Sequence, residues 1–263
     1  MQKVAATLLE FASLGTAAAL RRSGCPSFVA PGGPLLAASA LLLGGCIGVS
    51  APPPHGTGAI IPKCTGPAVP APDGLIDDFE DGNTRVAQIE GRGGYWFKST
   101  DPAGSFFGPA DLGPVEGGRN GGLVLHPVGK TVPPSDEAWG AILGGNFSSE
   151  GLYDASKYSG ISFWAKVGEN STRSIRVEVG DVNTHENGGV CTQCWNHFGA
   201  DLTFTPEWKQ YVLLFRSLRQ EQGWGDPRPP NIDPSQLYSI GFKIKPGNTF
   251  EFWLDDVEFV TCR

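Results

Sequence analysis

The stretch CTQCWNHFG, residues 191–199, carries the residue types that metal binding and redox chemistry most often use. Cys191 and Cys194 have the Cys-x-x-Cys spacing of a metal site, a redox pair or a local disulfide. Together with His185 and His197 they would supply four ligands to a zinc ion. Each alternative gives the protein a different function, so the rest of the chain has to decide among them.

The first 46 residues predict that the chain is exported. An apolar run over residues 34–46 follows Arg21 and Arg22; it is too short to span a bilayer and has the length of a signal-peptide core. Its end, LLGGC, resembles a bacterial lipobox, in which Cys46 would be lipidated and would supply the only membrane contact. A plain secretory signal with an incidental cysteine is the alternative. Either way, we expect the thiols to meet an oxidising compartment.

The composition then divides the chain into three parts. After the leader, residues 47–73 are dominated by Pro, Gly and Ala and show no apolar period, which predicts a semi-rigid linker. Residues 74–263 contain many short stretches in which apolar and polar residues alternate, the pattern of half-buried strands. We therefore expect one domain over residues 74–263.

The alternation also predicts the fold class. In SIRVEVGD the side chains of Ile175, Val177 and Val179 share one face, and those of Arg176 and Glu178 share the other. Strands of this kind, about ten in number and separated by Gly- and Asn-rich turns, bury one face each. The segment EWKQYVLLF (207–215) becomes apolar on both faces, as in a central strand. The prediction is an all-β, two-sheet antiparallel β-sandwich of the jelly-roll type.

The charge of the chain limits the class of partner. The net charge is −7. The first 46 residues carry Lys3, Arg21, Arg22 and Glu10, or +2, so the remainder carries −9. This excess of acidic groups argues against a nucleic-acid partner and suits a neutral ligand or a bound cation.

Several segments, in their order along the chain, resemble a known family. LIDDFEDG, YSGISFWAK, IRVEVGD and FEFWLDDVEF are similar to segments of family 11 carbohydrate-binding modules and their galactose-binding-like jelly-roll relatives, over residues 74–260. The resemblance implies a β-sandwich that binds β-glucan in a shallow cleft and performs no chemistry. We therefore expect a monomeric, lipid-anchored, polysaccharide-binding protein that is not an enzyme. The alternatives are a structural or assembly lipoprotein that contacts another envelope protein, and a glycan hydrolase or lyase.

Sugar binding needs flat aromatic rings beside polar side chains. An indole stacks on the apolar face of a pyranose, while charged and amide groups bind the hydroxyls. The candidate ligand-binding residues are Trp195, Trp224, Trp96, Arg176, Glu178, Asp181 and His197. For each aromatic residue the alternative is packing in the core, and for Arg176 and Glu178 it is a cross-strand ion pair.

Acidic residues at both ends of the domain predict a structural calcium site. Asp78 and Glu80 belong to the first predicted strand, where residues two apart share a face, and Asp255 belongs to the last. A shift of register would use Asp77 or Asp256 instead. If the two strands pair, the three carboxylates offer the oxygen ligands that Ca²⁺ prefers. A solvated acidic edge is the alternative. A glycosidase pair is disfavoured because these strands lie away from a cleft.

The remaining cysteines decide the interpretation of the opening stretch. If the first and last strands are neighbours, Cys64 and Cys262 can pair and close the domain, which leaves Cys191 for Cys194. An exported domain oxidises its thiols unless metal binds first, and a redox pair would need a helix after the first cysteine. We therefore expect a local disulfide that holds Trp195 and His197 in place, with zinc and a redox switch as the alternatives.

Overall fold

The computed structural model describes residue 61 and residues 63–262. Within these residues the regular structure consists of β-strands and two single-turn 3-10 helices, Glu186–Gly188 and Phe215–Ser217. The strands are β1 (Ala68–Asp77), β2 (Trp96–Thr100), β3 (Phe106–Gly108), β4 (Val115–Glu116), β5 (Leu123–Val124), β6 (Val128–Lys130), β7 (Ala141–Asn146), β8 (Gly160–Val167), β9 (Ser174–Asp181), β10 (Phe198–Thr203), β11 (Lys209–Leu214), β12 (Leu237–Ile244) and β13 (Thr249–Cys262).

The strands form two large antiparallel sheets. The six-stranded sheet has the order β11-β8-β13-β6-β3, with β1 also paired to β13, and the five-stranded sheet has the order β10-β9-β12-β7-β2. A small third sheet consists of β4 and β5. The predicted all-β sandwich is therefore confirmed.

The core lies between the two sheets and is rich in phenylalanine. Phe242 of β12 contacts Phe163 of β8 edge-to-face with ring centroids 5.0 Å apart, and Phe252 of β13 at 6.2 Å. All three are fully buried. Each buried aromatic side chain of this kind contributes about 1.5–3 kcal/mol through removal of apolar surface from water. These contacts determine which face of each strand points into the core. The opposite, outer face is the one that can form a ligand site.

The first and last strands pair, as predicted, and a disulfide adds to their pairing. Ala68 of β1 lies opposite Cys262 of β13, and Cys262 is bonded to Cys64 with the Cα atoms 5.1 Å apart. The predicted linker, 47–73, therefore extends too far, because β1 already begins at Ala68. The prolines that suggested a linker, Pro70 among them, are tolerated because β1 pairs on one side only.

The position of β11 differs from the prediction of a central strand. β11 is the edge strand of the six-stranded sheet and pairs only with β8. Val212, in the middle of β11, is exposed, while Tyr211 and Leu213 are buried. The apolar residues on both faces of β11 therefore do not mean that both of its faces are buried.

Two predictions about the chain before the sandwich lie outside the described residues. These are the signal peptide with the linker up to residue 60, and lipidation of Cys46. Within the described part of the chain, no helix has the length and apolar character that crossing a membrane requires.

Replacing Cys64 and Cys262 by serine is expected to destabilise the domain. The disulfide joins residues 198 positions apart, and closing so long a loop restricts the unfolded chain by about 5 kcal/mol on the chain-entropy model. We expect a loss of about 4–5 kcal/mol in the free energy of unfolding, measured by urea denaturation. The matched control is Cys191→Ser with Cys194→Ser, which opens a loop of separation 3 and should cost only about 2 kcal/mol. Equal losses from the two pairs of substitutions would contradict this account.

Candidate functional site

A cleft of about 640 Å³ lies on the outer face of the five-stranded sheet. Its walls and floor come from strands β2, β7, β9 and β12 and from the loops that precede β7, β10 and β12. The residues that line it, called here the cleft residues, are Phe97, Ser99, Trp139, Ile142, Asn146, Glu178, His185, Cys194, Trp195, His197, Trp224, Ser239, Ile240, Gly241 and Lys243.

A row of small residues forms the centre of the floor. Strand register places Glu178 of β9 beside Gly241 of β12, Gly241 beside Gly144 of β7, and Gly144 beside Phe97 of β2. The neighbouring residues along these strands point into the core, because strand side chains alternate. Neither glycine has a side chain of its own, and the side chains of Phe97 and Ile142 occupy the space above Gly144 and Gly241.

Four aromatic side chains surround this floor. Trp195 is 47% exposed, and Phe97 and Trp139 are each 38% exposed. Trp224 is half-buried, and its indole nitrogen donates to Glu221 Oε2 at 3.3 Å. Exposed aromatic rings around one cavity are the usual lining of a ligand site.

The loop before β10 holds Trp195 in an unusual backbone conformation. Cys191 and Cys194 form the predicted local disulfide, with Cα atoms 5.1 Å apart, which excludes them as zinc ligands. Trp195 itself has φ of 75°, in the left-handed region that bulky residues rarely adopt. Its amide donates to the carbonyl of Thr184 at 2.8 Å, and its ring meets His185 edge-to-face at 4.8 Å. Strain of this kind persists only where the surroundings impose it, and it is concentrated at functional sites.

A short hydrogen-bond chain fixes His197. Its Nδ1 lies 2.9 Å from Thr184 Oγ1, and that hydroxyl donates to Asp181 Oδ1 at 2.9 Å. The hydroxyl has a single proton, so Nδ1 is the donor to Thr184 and Nε2 of His197 is left as an acceptor. Burial lowers the pKa of His197 to about 3, so the ring is neutral near pH 7.

Asp181 was predicted to bind the ligand, but the structure places it beneath the cleft. It is fully buried. Its carboxylate accepts hydrogen bonds from the amide and side chain of Asn183, from Thr184, and from the amide of Asp233 at 3.0 Å. Asp181 therefore ties together the loops that follow β9 and precede β12, and has no oxygen free for a ligand.

Arg176 and Glu178 lie on the cleft side of β9, as predicted, but both are almost completely buried. Arg176 Nη2 donates to the carbonyl of Arg219 at 2.7 Å. Its Nε lies 3.4 Å from Glu178 Oε2 and 4.0 Å from Glu221 Oε1. Among the described residues this Nε is the one buried side-chain nitrogen or oxygen without a hydrogen bond. The nearest acceptor to this Nε is therefore the carboxyl group of Glu178, and Arg176 itself is not one of the cleft residues.

Burial also changes the protonation of Glu178. It raises the pKa of Glu178 to about 7, against the opposing effects of Lys243 and Arg176. Lys243 lies opposite Arg176 in the strand register and is 3.8 Å from Glu221. One cation of the cleft, Lys243, and the buried Arg176 therefore lie next to a carboxyl group that is partly protonated near neutral pH.

Trp96 was predicted to bind the ligand and instead belongs to the core. Its ring is 4% exposed, and its Nε1 donates to Asp77 Oδ2 at 2.7 Å. Alternation along β2 turns the next residue, Phe97, into the cleft. Phe97 and Trp139 were missed by the sequence analysis; the alternation in YWFKS could have identified Phe97 once the inward face of β2 was known.

The predicted calcium ligands do not come together. β1 ends at Asp77, so Asp78 and Glu80 lie in the following turn and not on one strand face. Glu80 Oε1 accepts from the amide of Leu123, and Asp255 Oδ2 accepts from the amide of Arg119 at 2.8 Å. The described residues contain no group of three or more acidic, histidine or cysteine side chains that could hold a metal ion. Calcium binding stays a prediction that this arrangement does not support.

The substitution Glu178→Gln is expected to change how stability depends on pH. The unfolded state loses the Glu178 proton near pH 4.5 and the folded state near pH 7, so the wild type loses stability as the pH rises through that interval. The glutamine variant lacks this loss. We expect it to match the wild type at pH 4 and to exceed it by on the order of 2–3 kcal/mol at pH 8, measured by urea denaturation. A difference independent of pH would contradict the shifted pKa.

Comparison with known proteins gives similarities of fold at low sequence identity. No protein-family model matches the chain, and no curated protein matches it. Among solved structures, the chain is similar to the family 11 carbohydrate-binding module of a cellulosomal cellulase of Clostridium thermocellum, at 19% identity and a TM-score of 0.47, over 75% of this chain and 96% of that one.

Two further solved structures show the same kind of similarity. One is a family 11 module of Clostridium thermocellum in complex with a β-1,3-1,4-mixed-linked tetrasaccharide, at 19% identity and a TM-score of 0.48, over 73% of this chain and 98% of that one. The other is a family 30 carbohydrate-binding module, at 15% identity and a TM-score of 0.46, over 69% and 95%.

Proposed function

We propose that the cleft binds a neutral polysaccharide, of which β-glucan is the class we expect, and that the protein performs no chemistry on it. The observation that carries the proposal is the lining of the cleft. Trp195, Trp224, Trp139 and Phe97 present aromatic rings around a shallow floor, and polar side chains stand between them. Aromatic rings stack on the apolar faces of pyranoses, and polar groups fix their hydroxyls.

The polar groups of the floor suit hydroxyls because they include both donors and acceptors. Lys243 donates, His197 Nε2 accepts, and Glu178, Asn146 and Ser239 can do both. A hydroxyl group is also donor and acceptor, so it can bridge two neighbours on the floor. The mixture suits a ligand with many hydroxyls and no charge of its own.

The site is held in place before any ligand binds. The Cys191–Cys194 disulfide, the hydrogen bond from the Trp195 amide to the Thr184 carbonyl and the hydrogen bonds of Asp181 all restrict the loops beside the cleft. A rigid site loses little conformational entropy on binding. This favours recognition of a flexible polymer, because the polymer itself loses conformational entropy when it binds.

The cleft supports binding more than hydrolysis. Glycoside hydrolases use two carboxyl groups that flank the scissile bond, one as acid and the other as base or nucleophile. Glu178 is the one carboxylic acid among the cleft residues that the structure describes. We therefore propose a binding protein. From the apolar leader segment and its LLGGC end we also propose that it is exported and anchored in the cell envelope through lipidated Cys46, where it acts as a monomer.

Substituting the cleft tryptophans is expected to weaken polysaccharide binding. Trp195→Ala and Trp224→Ala each remove a ring from the cleft, and we expect roughly five- to tenfold weaker binding to soluble mixed-linked β-glucan, measured by affinity electrophoresis. The matched control is Trp253→Ala, since Trp253 lies on β13 of the other sheet and stacks on His126 at 4.1 Å.

Three outcomes, from these variants, from a glycan array and from an assay for released sugars, separate the proposed function from its alternatives. Equal effects of all three tryptophan substitutions would place binding outside the cleft. No binding of the wild type to any polysaccharide of a glycan array would favour an assembly protein instead. Release of sugar products from the polymer would indicate a hydrolase or lyase.

A further inference from the structure

The ring of Phe97 lies against a glycine. Phe97 of β2 is directly opposite Gly144 of β7 in the strand register. A Cβ atom added to Gly144 would lie 2.3 Å from Cζ of Phe97 and 2.7 Å from both Cε atoms. The outer half of the ring therefore occupies the space that a side chain at position 144 would need.

This arrangement leaves the other side of the ring available. Phe97 is 38% exposed and is one of the cleft residues. An aromatic side chain on an edge strand would otherwise stand away from the sheet. With a glycine beside it, the ring can lie down on the backbone, as aromatic residues do when they cover a glycine in a neighbouring strand.

We propose that Gly144 is a positioning residue that holds the Phe97 ring down on the sheet, so that Phe97 forms a stacking platform for a sugar ring at the β2 end of the cleft. The inference rests on the proposed function, because the platform needs a ligand with an apolar flat face. It assigns a binding role to Phe97 and an indirect one to Gly144, which reaches the ligand only through that ring.

The place of Phe97 in the sheet determines which ligands reach it. β2 is the edge strand, and two strands, β7 and β12, separate it from β9, which carries Glu178. Three strand spacings amount to about 14 Å. A sugar chain seated over Glu178 therefore contacts Phe97 only if it is several units long. Phe97 should contribute to the binding of long oligosaccharides and not to that of a disaccharide.

A substitution at Gly144 should move the ring and not the backbone. The atoms that a new Cβ would meet are at the far end of a side chain that can rotate away. Gly145, the next residue, differs because its Cβ would meet the buried ring of Trp96 at 3.0–3.1 Å, on the core side of the sheet. Gly144→Ala therefore tests the platform with the smallest change available.

The test is a double-mutant cycle of Phe97 and Gly144. Titration calorimetry measures the affinity of each variant for a mixed-linked β-glucan hexasaccharide and for the matching disaccharide. We expect Phe97→Ala and Gly144→Ala each to weaken hexasaccharide binding roughly fivefold and disaccharide binding less than twofold. In the Phe97→Ala background, Gly144→Ala should have no further effect, because the ring that it displaces is absent. Phe97→Tyr should retain the wild-type affinity.

The outcomes that overturn the inference are distinct from the failure of the proposed function. Unchanged hexasaccharide affinity in Phe97→Ala, or an equal effect of Gly144→Ala with and without Phe97, would overturn the platform while the wild type still binds. A wild type that binds neither oligosaccharide would overturn both. If Gly144→Ala does not fold, as shown by its thermal unfolding, Phe97→Leu decides: it keeps an apolar side chain but loses the ring, and unchanged affinity would overturn the inference.

Discussion

The register of β12 between β7 and β9 is the constraint on which the core and the cleft both depend. It places Gly241 between Glu178 and Gly144 on the outer face, and Phe242 among the aromatic rings of the core on the inner face. A slip of one residue would exchange the two faces of this strand. Phe242 would then fill the cleft, and Gly241 would leave a cavity in the core. Burial of the phenylalanine therefore fixes the shape of the floor.

The same register brings charged groups together at low exposure. Arg176, Glu178 and Lys243 are neighbours on β9 and β12, and Glu221 approaches them from the loop before β12. Partners of opposite charge lower the cost of burying each group, and the raised pKa of Glu178 shows that part of the cost remains. This arrangement can strengthen ligand binding. Polar groups that are shielded from water make stronger hydrogen bonds to a ligand that takes the place of the water.

Alternation along the chain, a local signal, was enough to predict the sandwich, and the short spacing of Cys191 and Cys194 was enough to predict their disulfide. The Cys64–Cys262 disulfide, between residues 198 positions apart, followed only from the expected pairing of the first and last strands. Trp195 was also predictable, since a disulfide next to a turn-rich loop keeps its tryptophan at the surface. Which of two adjacent aromatics, Trp96 or Phe97, faced the cleft depends on the twist and packing of an edge strand, which alternation alone cannot assign. Asp181 and Asp78 were misplaced because the ends of strands, and the loops that a carboxylate can hold together, are set by tertiary contacts.

The most direct test of a sugar-binding cleft uses the seven tryptophans of the chain as reporters. Their indole N–H signals can be followed by NMR while a mixed-linked β-glucan oligosaccharide is added. We expect the signals of Trp139, Trp195 and Trp224 to shift. Those of Trp208 and Trp253, whose rings both lie beside Lys166 of β8 in the other sheet, should stay unchanged. Shifts confined to the last two, or no shift at saturating oligosaccharide, would contradict the assignment of the cleft as the binding site.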